Sequence, residues 1–476
     1  MSRETPWTLQ EASSAMAAGS VSSAELVEEC LATADLHDAR VGVFLARADD
    51  SARRAASASD SRRQRGEAIG PLDGIPIGLK DIVADVEGST TAQSLVLEPT
   101  WNKHVGASTV ARRLRAAGAV VMGKVTTMEF ATGLPDADKP FPIPRNPWDL
   151  DRWAGGSSSG SGSGLALGFF LGAVGTDTAG SIRIPAAFDG ITGLKPTFGR
   201  VPKDGVVPLG YTLDHVGPMG RTAADCALLL DAMAGHAPTD STSSRRPVED
   251  YYSALVGSLD GLTIGVDRLE RYALAGIDPA QPAVFSRALD LLADAGARVV
   301  DVELPHYHEA VAVDMVVMLC EAHAYHARDL AELWDDYGLS TRILLGSADV
   351  LTGADYVQAQ RVRRVIREEV QEIFGEVDLV VTPTGHRGAP RLADLDPANS
   401  LTALPSVHTP YWNPLGHPTA ALPIGLSSEE TPLSLSITGP YWAEGLVLRA
   451  ADALQRRSDH HLARPSLRSE SGEVNG

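Results

Sequence analysis

Two loops of small residues bracket an apolar segment between Ala154 and Pro196, and no other feature constrains the chain as strongly. The first loop, Gly155–Gly162, reads GGSSSGSG, and the second, Gly175–Ser181, reads GTDTAGS. Glycine allows tight turns and close approach of backbone segments. From these residues alone, three interpretations stay open: a phosphate-binding loop, a structural turn, and a loop that carries a nucleophilic serine.

The phosphate-binding interpretation fails on spacing. Counted from Gly160 or Gly162, the glycines do not fit the GxGxxG pattern of dinucleotide-binding folds. Residues 118–125 read GAVVMGKV, close to a Walker A loop, but Val125 stands where the magnesium-binding hydroxyl is required. Lys124 also ends a predicted strand, whereas the Walker lysine opens a helix. We therefore expect no nucleotide cofactor.

A lysine upstream offers a base for the nucleophilic interpretation. A serine hydroxyl is a poor nucleophile until a base takes its proton, and burial can depress the pKa of a lysine enough to keep it neutral. Lys80 lies in the apolar segment GIPIGLKDIV. The Lys80 side chain either is buried and desolvated, as a neutral base would be, or extends with its charged end in water. The sequence favours neither alternative over the other.

Charge and composition exclude several classes of function. The 476-residue chain has 61 acidic and 41 basic side chains, a net charge of −20. Nucleic acids and anionic membranes would be repelled, so we expect neither as a partner. The longest apolar run, Leu165–Gly175, has 11 residues, and a membrane span needs about 20. With no signal peptide visible and three scattered cysteines, Cys30, Cys226 and Cys320, the sequence predicts a cytoplasmic protein with free thiols.

Short apolar strands alternate with alanine-rich helices after Gly70, which predicts an α/β fold with a mostly parallel sheet. The predicted strands are Ile75–Val83, Ala119–Lys124, Leu262–Asp267, Arg298–Leu304 and Val377–Thr384, and the predicted helices are Ser108–Ala117, Pro282–Gly296 and Ala354–Phe374. Residues 1–65 are predicted as an N-terminal helical layer, in which Thr8–Glu11 and Ser22–Glu25 fit the spacing of capping boxes.

Taken together, the motifs resemble the amidase signature family of Ser–cis-Ser–Lys hydrolases. The matching segments are GIPIGLKDI with Lys80, GGSSSGSG with Ser157 and GTDTAGSIRIP with Ser181, and the two serines lie 24 residues apart, as in that family. RNPWD, GLKPTFGRV, TLDHVGPMGRT and NPLGHPTAALPIGL extend the likeness. The resemblance implies one continuous catalytic domain over residues 66–476, with its core at 70–235. In that fold, helices cover both faces of a central mixed, mostly parallel, twisted sheet.

The resemblance also implies roles for individual residues. Ser181 would attack a carbonyl carbon and form an acyl-enzyme. Ser157, on a cis peptide, would pass the proton to Lys80, which is neutral at rest. The oxyanion hole would be formed by the backbone N–H groups of Thr178, Ala179, Gly180 and Ser181. Nothing in this chemistry needs a metal or cofactor, and we expect none.

Three further residues, Ser158, Asp177 and Arg183, are expected to hold the nucleophile loop, although Asp177 and Arg183 could equally form a local salt bridge without a catalytic part. The TDTAGS variant resembles the branch with allophanate hydrolases and amidases that cleave aryl amides and carbamates. It therefore favours a small neutral amide or carbamate as substrate.

The substrate pocket is less constrained by sequence. The candidates are Ala131, Thr132, Gly133, Tyr211 and Trp412, which could equally be packing residues. His323 and His326 lie one helical turn apart and share a face, but no third ligand is evident, so we expect no metal site.

Two rival functions stay open. One is a glutaminase-type subunit of a tRNA-dependent amidotransferase. Such subunits carry a DGVRYG-like stretch, whereas the corresponding region here, Cys320–Leu339, reads CEAHAYHARDLAELWDDYGL. The other is a non-catalytic binding module that uses the Gly/Ser loops. The sequence favours a stand-alone hydrolase of small molecules, as a monomer or homodimer.

Overall fold

A computed structural model describes residues 7–400, 407–465 and 467. Eleven of its strands form one sheet and two form a separate hairpin. The strands are β1 (Phe44–Arg47), β2 (Pro76–Lys80), β3 (Val120–Val125), β4 (Arg145–Asn146), β5 (Asp149–Trp153), β6 (Gly172–Asp177), β7 (Thr192–Lys195), β8 (His215–Gly220), β9 (Thr263–Val266), β10 (Arg298–Asp301), β11 (Leu379–Pro383), β12 (Thr419–Leu426) and β13 (Pro432–Thr438).

Helices surround this sheet. They are α1 (Leu9–Ala17), α2 (Ser23–Val41), α3 (Asp49–Gln64), α4 (Trp101–Val105), α5 (Thr109–Ala116), α6 (Ser159–Leu167), α7 (Arg183–Asp189), α8 (Ala223–Met233), α9 (Gln281–Asp294), α10 (Tyr307–Glu332), α11 (Leu339–Gly346), α12 (Gly353–Glu376) and α13 (Glu444–Gln455). Among the described residues, none of these helices combines the length and apolar character needed to cross a bilayer.

The large sheet is mixed, as predicted, with the strand order β1-β3-β2-β6-β8-β7-β12-β13-β11-β9-β10. Parallel pairing joins β3, β2 and β6 on one side and β11, β9 and β10 on the other. The other six neighbouring pairs are antiparallel, a larger share than the sequence predicted. One reason is that β12 and β13 are joined by a short turn, which permits only antiparallel pairing.

Both faces of the central sheet are covered. Every residue of β2, β3, β6, β7, β8, β11 and β13 is buried, which requires packing on each side because successive side chains point to opposite faces. The predicted α/β fold with helices on both faces is therefore confirmed. The bounds of strands β2, β3, β9, β10 and β11 and of helices α5, α9 and α12 lie within three residues of the predicted ones.

The N-terminal segment differs in one respect from the prediction of helices alone. Both capping boxes are present, at Thr8–Glu11 and Ser22–Glu25. Between α2 and α3, however, Phe44–Arg47 forms β1 and pairs antiparallel with β3. The segment thus adds an edge strand to the sheet of the rest of the chain, and a domain division at residue 65 stays a prediction.

Candidate active site

Strand pairing brings the lysine and the nucleophile loop together. Lys80 is the last residue of β2 and Asp177 the last of β6, and these two strands are parallel neighbours. Since parallel strands end at the same edge of a sheet, Lys80 and the loop that follows Asp177 meet there. Ser157 and Ser181 each lie two residues before a helix, α6 and α7 respectively.

The Lys80 side chain is completely buried. Its Nζ donates hydrogen bonds to the hydroxyl of Ser157 at 2.8 Å and to that of Thr176 at 2.7 Å. Burial lowers the pKa of Lys80 from 10.5 to about 7, against a smaller opposing effect of Asp177 and Asp214. Of the two alternatives left by the sequence, the desolvated lysine is therefore the observed one, and a large fraction of it is neutral near pH 7.

Ser157 follows a cis peptide bond, Gly156–Ser157, as the resemblance implied. Ser157 and Ser181 are both buried and line one cavity of about 80 Å³, named below the catalytic cavity. The backbone N–H of Ser158 donates to the carbonyl of Ser181 at 3.1 Å, and the Ser158 hydroxyl bonds both the N–H and the carbonyl of Thr176. Ser158 thus ties the two Gly/Ser loops together.

Asp177 and Arg183 form a fully buried ion pair at 2.9 Å. Burial by itself raises the pKa of the Asp177 carboxyl, but Arg183, together with Lys195 and Asn413, outweighs burial and holds that pKa below its ordinary value. Arg183 also donates to the carbonyl of Thr409 at 2.9 Å and to the side-chain oxygen of Asn413 at 2.5 Å. The pair is therefore more than a local salt bridge, since it joins the nucleophile loop to a segment 230 residues away in sequence.

The oxyanion-hole prediction needs one correction. The N–H of Gly180 donates to the Asp177 carboxylate at 2.8 Å, so it is committed to that carboxylate and does not serve a developing oxyanion. The reason is the tight turn after Asp177, which folds the carboxylate back onto its own loop. The N–H groups of Thr178, Ala179 and Ser181 stay as the predicted donors.

Sequence reasoning missed Thr409 as a contact of this loop. Its hydroxyl donates to the carbonyl of Ala179 at 2.8 Å. Asn413, which opens the segment NPLGHP, also donates to the Asp177 carboxylate at 2.8 Å. The family-like segment signalled Asn413, whereas no pattern in the sequence marked Thr409.

Most side chains that line the catalytic cavity are apolar, and the polar ones are mainly hydroxyls, among them those of Ser157 and Ser181. Ala131, Thr132 and Gly133 line it as predicted, and helices α10 and α11 add further side chains. Its complete lining is Met128, Ala131, Thr132, Gly133, Leu134, Trp153, Gly156, Ser157, Thr178, Ala179, Ser181, Ile184, Leu209, Met315, Met318, Leu344 and Ser400. None of these described lining residues carries a charged side chain, so the cavity suits a neutral, partly apolar group.

Two predicted pocket residues lie elsewhere. Tyr211 is 55% exposed and lines a neighbouring cavity of about 280 Å³. Trp412 is 2% exposed, and its ring packs against Phe374 and His417. The 3₁₀ turn Thr409–Trp412 directs this indole into the core, so the prediction that Trp412 forms a wall of the pocket is wrong.

The two histidines of α10 have different partners despite their helical spacing. His323 contacts Asp349 at 3.2 Å, and His326 contacts the Tyr337 hydroxyl at 2.9 Å. Within the described residues, no group of three or more His, Cys, Asp or Glu side chains is placed to hold a metal ion.

Comparison with known proteins places this geometry in context. A protein-family model described as Amidase matches residues 25–448. A glutamyl-tRNA(Gln) amidotransferase subunit from Chloroflexus aggregans is 38% identical over 486 aligned positions, which cover 97% of this chain and 98% of the relative.

Solved structures show the same similarity. The native peptide amidase of Stenotrophomonas maltophilia superposes with a TM-score of 0.82 at 29% identity, covering 96% of this chain and 98% of that one. A chain from a vestigial protein complex, described as revealing the evolutionary origins of an s-triazine catabolic enzyme, superposes with a TM-score of 0.86 at 31% identity. That match covers 96% of this chain and all of the other.

Proposed function

We propose that this chain, which belongs to the amidase family, hydrolyses the C–N bond of a small amide or carbamate with a neutral acyl group. The observation that carries the proposal is the hydrogen bond from the buried Lys80 to Ser157, beside a cavity that Ser157 and Ser181 line together. A base with a pKa of about 7 next to a hydroxyl relay suits general base catalysis near neutral pH.

In this reaction the Ser181 oxygen attacks the carbonyl carbon, and its proton passes through the Ser157 hydroxyl to the neutral Nζ of Lys80. The resulting oxyanion accepts hydrogen bonds from backbone N–H groups of residues 178, 179 and 181. The C–N bond then breaks, and the leaving nitrogen takes the proton back from Lys80 through Ser157. Water attacks the acyl-enzyme by the same relay and releases the acid and free Ser181.

The neutral acyl group is inferred from the lining of the catalytic cavity. A charged acyl group would lose its hydration there without an opposite charge to compensate. The described lining residues offer apolar side chains, hydroxyls, the indole of Trp153 and backbone groups, all of them uncharged. A carbamate fits equally, because cleavage of its C–N bond leaves an uncharged oxygen substituent on the acyl carbon.

A second candidate is favoured by the relatives. The C. aggregans protein is named as one of the subunits of an amidotransferase, so a glutaminase role within a larger complex is the alternative. Glutamine carries an ammonium and a carboxylate on its α-carbon, and both need polar partners when buried. The described lining of the catalytic cavity provides no charged partner for either group, and for this reason we place the neutral amide first.

One experiment with two readouts tests both candidates. A fluorophosphonate probe is expected to label the wild-type protein at Ser181 and to leave Ser181→Ala unlabelled, with Ser161→Ala, a buried serine outside the cavity, as the labelled control. Hydrolysis of neutral acyl amides and carbamates is then compared with ammonia release from L-glutamine. Absence of labelling would overturn the hydrolase proposal, and faster turnover of glutamine than of every neutral amide would establish the second candidate.

A further inference from the structure

The second cavity, about 280 Å³ in volume and lined by Tyr211, shares its wall with the catalytic cavity. Ala131, Thr178 and Leu209 line both. Small-molecule sites are usually about 300–1,000 Å³, so the catalytic cavity, at about 80 Å³, is small for a site by itself. Together the two cavities reach the lower end of that range, as a single site in two compartments would.

The second cavity lies on the lysine side of the site. Thr176, whose hydroxyl accepts a hydrogen bond from Lys80, lines the second cavity and not the catalytic one. Ile82, two residues after Lys80, lines it as well. In the proposed reaction the leaving nitrogen receives its proton from Lys80 through the Ser157 hydroxyl. Lys80 bonds both that hydroxyl and Thr176, so we infer that the amine part of the substrate extends from Ser157 toward this side.

The two cavities differ in charge. The described lining of the second cavity contains the carboxylates of Asp204, Asp214 and Asp240 against one ammonium, that of Lys203. The Lys203 ammonium is already engaged, because it donates to the carbonyl of Tyr211 and lies 4.8 Å from the ring centroids of both Phe198 and Tyr211. Asp204 also lies 3.5 Å from the guanidinium of Arg112, which is outside the lining, so the three carboxylates face two cations and one negative charge is in excess. This excess attracts a cation.

The carboxylate of Asp214 also fixes the wall between the cavities. It accepts hydrogen bonds from the Thr178 hydroxyl at 2.6 Å and from the Leu209 N–H at 3.0 Å. Two of the three shared wall residues are thus held by one acidic side chain of the second cavity. These hydrogen bonds hold the wall between the two cavities in place, so that the apolar lining stays on one side of the wall and the acidic lining on the other.

We propose that the second cavity binds the amine part of the substrate and that this part carries a positive charge, so that the preferred substrates are small neutral acyl groups linked to a cationic amine. The proposal rests on the proposed function and deepens it. The acyl group stays neutral in the catalytic cavity, whereas the charge lies beyond the scissile nitrogen.

The test uses three acetamides of one length: N-acetyl-1,4-diaminobutane, N-pentylacetamide and 5-acetamidopentanoate, which are cationic, neutral and anionic. We expect kcat/KM to fall in that order. A charge interaction across a partly hydrated cavity is worth about 3- to 30-fold in this comparison. Equal rates for the three amides, or a preference for the neutral or anionic one, would overturn the proposal.

Two variants assign the effect to the second cavity. Asp204→Asn keeps the oxygen that accepts from Thr109 and Thr239 but removes its charge, which also faces the Arg112 guanidinium at 3.5 Å. The other carboxylate oxygen has no hydrogen-bond partner among the described residues. This variant is expected to reduce the preference for the cationic over the neutral amide several-fold. Lys203→Met is expected to increase that preference.

The matched control is Asp290→Asn, an exposed carboxylate on α9 away from both cavities, and it should change none of the ratios. If Asp204→Asn and Asp290→Asn change the preference for the cationic amide by the same factor, the second cavity does not discriminate substrates by charge and the proposal is wrong. Failure of the proposed function itself looks different, because Ser181 would then stay unlabelled by the fluorophosphonate and none of the three amides would be cleaved.

Discussion

The side-chain hydroxyl of Thr409 donates a hydrogen bond of 2.8 Å to the carbonyl oxygen of Ala179. The N–H at the other end of the same peptide, that of Gly180, donates to Asp177 at 2.8 Å. This peptide plane is therefore held at both ends and cannot rotate. Gly180 has a φ of +132°, and a Cβ there would lie 2.0 Å from the Thr409 hydroxyl oxygen, so only glycine fits.

Thr409 is accordingly expected to position the oxyanion donors on either side of that peptide. Thr409→Val keeps the shape of the side chain but removes its hydroxyl. We expect kcat to fall about 10- to 100-fold, which is no more than the loss of one complete oxyanion-hole donor costs, and KM to change little. Thr409→Ser should restore most of the rate. The affinity for a trifluoromethyl ketone, which mimics the oxyanion, should fall in parallel with kcat. Equal rates for the Val and Ser variants would remove Thr409 from the mechanism.

The pKa of Lys80 predicts the pH dependence of the reaction. Below a pKa of about 7 the lysine is protonated and cannot accept the proton of Ser181. We therefore expect kcat/KM to rise about tenfold per pH unit below pH 7 and to level off above it. Lys80→Ala should lose this limb together with nearly all activity, whereas Lys103→Ala, an exposed lysine on α4, should keep both. A flat wild-type profile between pH 5 and 9 would contradict the assignment of Lys80 as the base.

Met318 on α10 lines the catalytic cavity, and we predict that its side chain limits the size of the acyl group. Met318→Ala removes several heavy atoms from that wall and should raise kcat/KM for butyryl relative to acetyl amides, by about 10-fold or more, because each methylene in an apolar pocket is worth about 1–3 kcal/mol. Met233→Ala is the control, because Met233 is a buried methionine of α8 outside the cavity. If both variants leave the acyl preference unchanged, Met318 does not contact the acyl group.

Asp189, at the end of α7, is a buried carboxyl whose two oxygens have no hydrogen-bond partner among the described residues. Burial raises its pKa well above the ordinary value, so the folded state holds its proton more tightly than the unfolded state. The free energy of unfolding then falls as the pH rises above about 4, the pKa of an unfolded aspartate.

Asp189→Cys, which is similar in volume and tolerates burial, is therefore expected to stabilise the fold by about 1–3 kcal/mol at pH 8. At about 2.1 cal/mol/K of unfolding entropy per residue, this raises the Tm by about 1–3 °C. The difference from the wild type should shrink toward pH 4. Asp290→Cys, at an exposed site, serves as control. A lower Tm of Asp189→Cys at pH 8 would show that the carboxyl has a stabilising partner.

The candidate site divides into parts that were predictable and parts that were not. The alternating strands and helices, the capping boxes and the small-residue loops depend on interactions within a few residues, so they could be read locally. The positions of Tyr211 and Trp412 could not, because an aromatic residue in a connecting segment can face either a cavity or the core. The commitment of the Gly180 N–H to Asp177 depends on the turn geometry, which the residue types alone leave open.

The amino-acid sequence by itself determined the α/β class, the spacing of Ser157 and Ser181, and a lysine within an apolar strand, because each is a local pattern. Only the tertiary structure decided that Lys80 is buried against both Ser157 and Thr176, that Thr409 and Asn413 hold the nucleophile loop, and that a second, acidic cavity adjoins the first. These contacts join segments up to 236 residues apart. Their geometry follows from the order of strands in the sheet, which no local pattern encodes.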